Sequence, residues 1–134
     1  MKNIFIHGLA AGILSAIASL VYSSLYQTTL GVSFDVVVNS GAIIGSSIFG
    51  CVLMAVGYML LFKFNKEKFK GLLNIIISVL SFASIIAPIG MSLPLEIESP
   101  ELFPGLVIPM HLFPAMAFFA IDPFFKMANL SLVR

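Results

Sequence analysis

Four apolar runs, each long enough to cross a bilayer, leave this chain few ways to fold. They cover residues 4–26, 36–62, 72–93 and 102–125. About 30 Å of hydrocarbon needs roughly 20 residues at about 1.5 Å each, and every run meets that length. Backbone groups in lipid must be satisfied within their own segment, so each run is expected to be helical despite its Val and Ile content. Composition agrees. The chain is 60% hydrophobic and 10% charged, where soluble domains carry about 25% charge. The expected fold class is all-α: an integral membrane four-helix bundle with short loops, one domain over residues 1–134.

The N-terminal run invites comparison with a secretory signal, since Ala16-Ile17-Ala18 offers a small-residue cleavage pattern. The apolar stretch continues past that point through Leu25, so it reads as a retained first span.

Charge placement sets the expected orientation. Lys2 precedes the first run, Lys63, Lys66, Lys68 and Lys70 flank the middle link, and Lys126 and Arg134 follow the last. The other two connections hold no Lys or Arg, only Asp35 in one and Glu96, Glu98 and Glu101 in the other. The positive-inside rule puts both termini and the middle link in the cytoplasm, as in a multi-pass protein of the inner (plasma) membrane. Partners are then the lipid bilayer and other membrane helices. A formal charge of +1 argues against nucleic acid.

Turn chemistry marks the links. Gly31 supplies a bend in the first outer loop, and Asp35 suits the positive end of the second helix. Phe64 to Gly71 makes the middle turn. Ser99-Pro100-Glu101 has the order of N-cap, first helical proline and acid that opens the fourth helix.

Water drives no association inside lipid, so close backbone approach and interhelical hydrogen bonds must hold the bundle. Gly8 and Gly12 in the first run, continued by Ala16 and Ser19, form one small-residue strip. Gly41 and Gly45 begin another in the second run. Both are expected to serve packing within the bundle, with a homo-oligomer contact as the alternative. The fourth run is punctuated by Pro104, Pro109, Pro114 and Pro123. Pro109 and Pro114 deprive the carbonyls of Gly105 and Met110 of their usual donors, so a kinked or locally unwound fourth helix is expected.

His111 lies between these two prolines. A neutral imidazole there could serve a freed carbonyl; the functional alternative is a pathway or ligand group acting with Glu96, Glu98, Glu101 or Asn39. A lone His beside loop glutamates is a poor metal signature, and no metal or other cofactor is expected. His7 falls near the opposite face and cannot share a ligand with His111. Asp122 and Lys126 have the spacing of an intrahelical ion pair. Asn39 and Asn74 read as interhelical hydrogen-bonding groups. Cys51, the single cysteine, reads as a packing residue and cannot form an internal disulfide.

The chain carries no phosphate-binding Gly-rich loop with Lys, no paired-His zinc motif, no nucleophile elbow and no Cys-x-x-Cys. An enzyme is therefore disfavoured. Pro109-Met110-His111-Leu112 at the last run, with Pro123 after it and Pro88 and Pro94 closing the third, resembles an uncharacterised prokaryotic family of small four-span membrane proteins. That resemblance implies a four-helix membrane fold, supplies no activity, and draws attention to His111. The expected function is non-enzymatic: helix–helix association as a homo-oligomer or accessory subunit. The alternative is a small transporter or channel with His111 and the broken fourth helix lining its pathway.

Overall fold

The computed structural model describes residues 2–95 and 97–131, and every regular element among them is helical. In chain order these are α1 (Lys2–Leu30), α2 (Ser40–Lys63), α3 (Lys70–Ala83), α4 (Ile86–Ile89) and α5 (Phe103–Ser131). Short 3-10 turns, Glu67–Phe69 and Pro100–Leu102, precede α3 and α5. With α3 and α4 joined as one stretch, four helical segments are long and apolar enough to cross a membrane.

The ends of these helices follow from a few residues. α1 stops where Gly31 enters the left-handed region at φ +67°. The Val32 amide then closes back on the Gln27 carbonyl at 3.1 Å, a Schellman closure that satisfies an otherwise orphaned acceptor. α2 ends the same way at Asn65 (φ 52°), with Lys66 N–H donating to Leu61 O at 2.8 Å. Its start differs from expectation. Residues 35–37 form a turn, and Asn39 caps the helix by accepting from Ala42 N–H at 2.9 Å. Asp35 therefore sits in the loop, where Ser33 Oγ donates to it at 3.4 Å. Ser99 is a second departure: it takes φ 55° and its side chain caps nothing, although the helical turn does begin at Pro100.

α1 is the hub, lying against both α2 and α5. In its best 18-residue window 39% of residues are buried, against 11% for the third segment, which lies at the periphery. Gly8 and Gly12 make the α1–α2 contact possible. A Cβ on Gly8 would stand 2.6 Å from Ala55 Cβ, and one on Gly12 would stand 2.8 Å from Ile48 Cα. Gly41 and Gly45 do not share in this packing. Both are exposed, and a Cβ on Gly45 would meet nothing within 4 Å.

Two apolar clusters fill the interior. One joins Ala11, Cys51, Ala55, Tyr58, Ile77, Ala115 and Phe118. The other, toward the opposite end, joins Phe34, Phe103, Leu106 and Val107. Phe34 drops from the α1–α2 loop as a plug: it is fully buried and meets the Phe103 ring edge-on at 5.5 Å.

Of the two outcomes expected of the prolines in the fourth run, local unwinding is not seen. α5 remains helical through Pro109, Pro114 and Pro123, with no unwound stretch. The interruption falls in the third segment, at Ser84–Ile85, four and three residues before Pro88. A proline ring clashes with the carbonyl four residues back and leaves it without a donor. At Pro88 that carbonyl belongs to Ser84, where α3 stops. In α5 the carbonyl freed by Pro109 is Gly105, and Tyr22 of α1 donates to it at 2.7 Å.

Candidate functional site

The α1–α5 seam is hydrogen-bonded from side chain to backbone. Tyr22 reaches Gly105 O, and Tyr26 reaches Leu102 O at 2.8 Å. Further along, His7 Nε2 lies 2.9 Å from Phe118 O, with its ring stacked on Phe118 and Phe125 at 4.3 and 4.9 Å. α2 joins the seam where Cys51 Sγ approaches Pro114 O at 3.5 Å. Three of these side chains point at carbonyls of the proline-rich helix, and Tyr26 points at the turn that leads into it.

The end that carries the middle turn holds a polar cluster. Lys70 Nζ lies 3.2 and 3.3 Å from the two Asp122 oxygens, and 4.7 Å above the Tyr58 ring. Tyr58 also donates to Asn74 Oδ1. Asp122 thus pairs across helices with Lys70; the expected intrahelical pair with Lys126 involves a side chain outside the described residues.

Toward the other end, α1, α2, α3 and α5 line a half-open cavity of about 530 Å³. Its polar groups are Ser19, Ser46, Ser47, Ser81, Ser84 and His111, set among apolar walls that include Ile43, Ile77, Val107 and Met110. Three of the serines are spent on their own helices. Ser46 donates to Ile43 O at 3.2 Å, Ser81 to Ile77 O at 2.9 Å and Ser84 to Ser81 O at 2.7 Å. Ser19 is different. It is 1% exposed and its Oγ has no hydrogen-bond partner, as is also true of Ser15 one turn away.

His111 Nδ1 stands 2.8 Å from Val107 O, one turn back on the same helix. A carbonyl only accepts, so Nδ1 carries the proton, and in a neutral ring Nε2 is then an acceptor. The histidine does serve a backbone carbonyl, though not one of the two freed by the prolines.

The residues expected to act with His111 are elsewhere. Asn39 is the α2 cap, Glu98 and Glu101 are exposed, and none of the three lines the cavity. Glu96 lies outside the described residues. Among the described residues no group of three or more His, Cys, Asp or Glu side chains could hold a metal ion. His7 sits about two turns of α5 from His111, against the other cluster.

Sequence reasoning passed over Tyr22, Tyr26 and Ser15. A signal for the serines was present: Ser15, Ser19 and Ser23 recur every four residues, so they share one helix face, on the side begun by Gly8 and Gly12. No family model, curated protein or solved structure matches the chain.

Proposed function

We propose that this is a non-enzymatic multi-pass protein of the inner membrane that works through helix–helix association, as a homo-oligomer or as an accessory subunit of a membrane complex. The supporting observation is the difference between the two glycine pairs. Gly8 and Gly12 are consumed by contact with α2, whereas Gly41 and Gly45 face outward with room for a neighbouring backbone. Within lipid, small residues at a helix surface are what permit a second helix to approach closely.

Cross-linking in membranes tests this. In a Cys51→Ala background, Gly45→Cys should give an oxidant-induced dimer, while Ile17→Cys, on the exposed side of α1, should not. Equal cross-linking at both sites, or none at either, would remove the second copy as the partner of this face.

A second reading is a small transporter or channel with His111 on its pathway, and the cavity that reaches His111 favours it. The flexible point would then be the interruption at Ser84–Ile85 rather than α5. Proton flux into dye-loaded proteoliposomes, lost in His111→Gln, is the outcome that reading requires.

A further inference from the structure

The third segment is held unequally along its length. Of the α3 side chains only Ile77 is buried. Among the described residues, the hydrogen bonds that tie α3 to other helices fall at residues 70 and 74, near the middle turn. Lys70 pairs with Asp122 of α5, and Asn74 accepts from Tyr58 of α2. Tyr58 serves both ties, because its ring lies 4.7 Å from Lys70 Nζ. It is itself fixed by burial and by an edge-on contact with Phe118 at 5.1 Å.

Beyond Asn74 the hydroxyls turn back to their own helix. Ser78 donates to Asn74 O at 2.9 Å, Ser81 to Ile77 O at 2.9 Å and Ser84 to Ser81 O at 2.7 Å. Then comes the break. Ile85 N–H donates to Phe82 O at 3.2 Å and Ile89 N–H to Ile85 O at 3.4 Å, but Pro88 has no N–H to give Ser84 O. Sharp helix bends concentrate at such points. α3 is thus tied at one end and jointed at the other. Between these lies one wall of the cavity, formed by Ile77, Leu80, Ser81 and Ser84.

We propose that α3 is a hinged wall: when the ties at Lys70 and Asn74 part, it swings about Ser84–Ile85 and widens the cavity toward the bilayer. The device needs neither a second copy at Gly45 nor proton movement, so it stands or falls apart from association and transport. The lever from Leu72 to Ile85 is about 20 Å long, so a change in bend of about 20° moves its tip by about 7 Å.

Pulsed-EPR distances on the full chain in nanodiscs, in a Cys51→Ala background, test this. Ile13→Cys on α1 is spin-labelled together with Leu72→Cys at the tied end, Ile86→Cys beyond the joint, or Phe49→Cys on α2, all exposed positions. Tyr58→Phe removes the Asn74 tie. Adding Lys70→Met and Asp122→Leu removes the other without leaving a lone charge half-buried. Both releases should add a component longer by up to about 7 Å at Leu72, larger in the triple variant, while Ile86 and Phe49 keep their distances. Pro88→Ala, which stiffens the joint, should suppress that component. In separate, unlabelled protein, Ser47→Cys reports on the cavity wall, where Ser47 is 3% exposed. Tyr58→Phe should raise its reaction rate with N-ethylmaleimide about threefold, the equivalent of one interhelical hydrogen bond of about 0.6 kcal/mol. An unmoved Leu72 in the triple variant would overturn the proposal, as would equal displacement at Ile86 or Phe49. Unchanged reactivity of Ser47→Cys would sever α3 motion from the cavity and overturn it too.

Discussion

Tyr22 commits its phenolic hydroxyl to a carbonyl of α5, and Tyr26 to one in the turn just before it. Interhelical hydrogen bonds in bilayers contribute about 0.6 kcal/mol on average and about 1.7 at most. Tyr22→Phe should therefore lower stability by about 1 kcal/mol, read as a reduced thermal midpoint in detergent. Its effect should exceed the average, because it orphans the one carbonyl that Pro109 has freed. The glycines give a sharper contrast. Gly12→Ala places a Cβ against the Ile48 backbone, which cannot swing aside as a side-chain tip can, so a loss of about 1–3 kcal/mol is expected. Gly45→Ala, with open space around it, should melt within about 0.5 kcal/mol of wild type. Identical melting of the two would mean that α1 and α2 are not in contact at Gly12. The sequence identified both glycine pairs but could not say which face of α2 turns inward, because α2 is apolar all round. That choice is made by α1, through Ala55 and Ile48.

At the level of elements, the four segments and the bend at Gly31 were legible, because length and hydropathy alone decide them. The position of the break was not. Counting prolines pointed to the fourth segment, yet a proline is tolerated within a helix when a neighbour re-satisfies the freed carbonyl. α5 lies against α1, which brings Tyr22 to Gly105; the third segment is peripheral. Pro88→Ala should accordingly join α3 to α4 by restoring a donor to Ser84 O. Slowed amide exchange across residues 84–88 is the measurement, and unchanged exchange would show that something other than Pro88 sets the break. The cavity was also illegible. His111 was visible as an ionisable residue in an apolar run, but its neighbours Ser19 and Ser47 come from other helices, and no spacing along the chain announces them. Asn39 was placed at the start of α2, but it caps that helix instead of making the interhelical hydrogen bond expected of it, a role that emerged only once the helix start had moved to Ser40.

For the whole molecule, the basic residues of the α2–α3 turn lie at the end opposite the α1–α2 loop, as antiparallel connections require. The proposed orientation puts that end in the cytoplasm. In a Cys51→Ala background, Leu30→Cys should react with an impermeant thiol reagent added outside intact cells, and Glu67→Cys should react only after lysis. The reverse pattern would invert the protein in its membrane. The seam between α1 and α5 has a consequence in time as well as in space. His7, Tyr22 and Tyr26 bond to residues 111, 83 and 76 positions later in the chain. At a synthesis rate of about 5–20 residues per second, their acceptors emerge roughly 4–20 s after them. During that interval Gly8 and Gly12 can already seat α1 on α2, but an imidazole and two phenols wait for acceptors not yet made. A chain that stops before Leu102 lacks all three acceptors, so along this seam an unfinished copy differs chemically from a finished one.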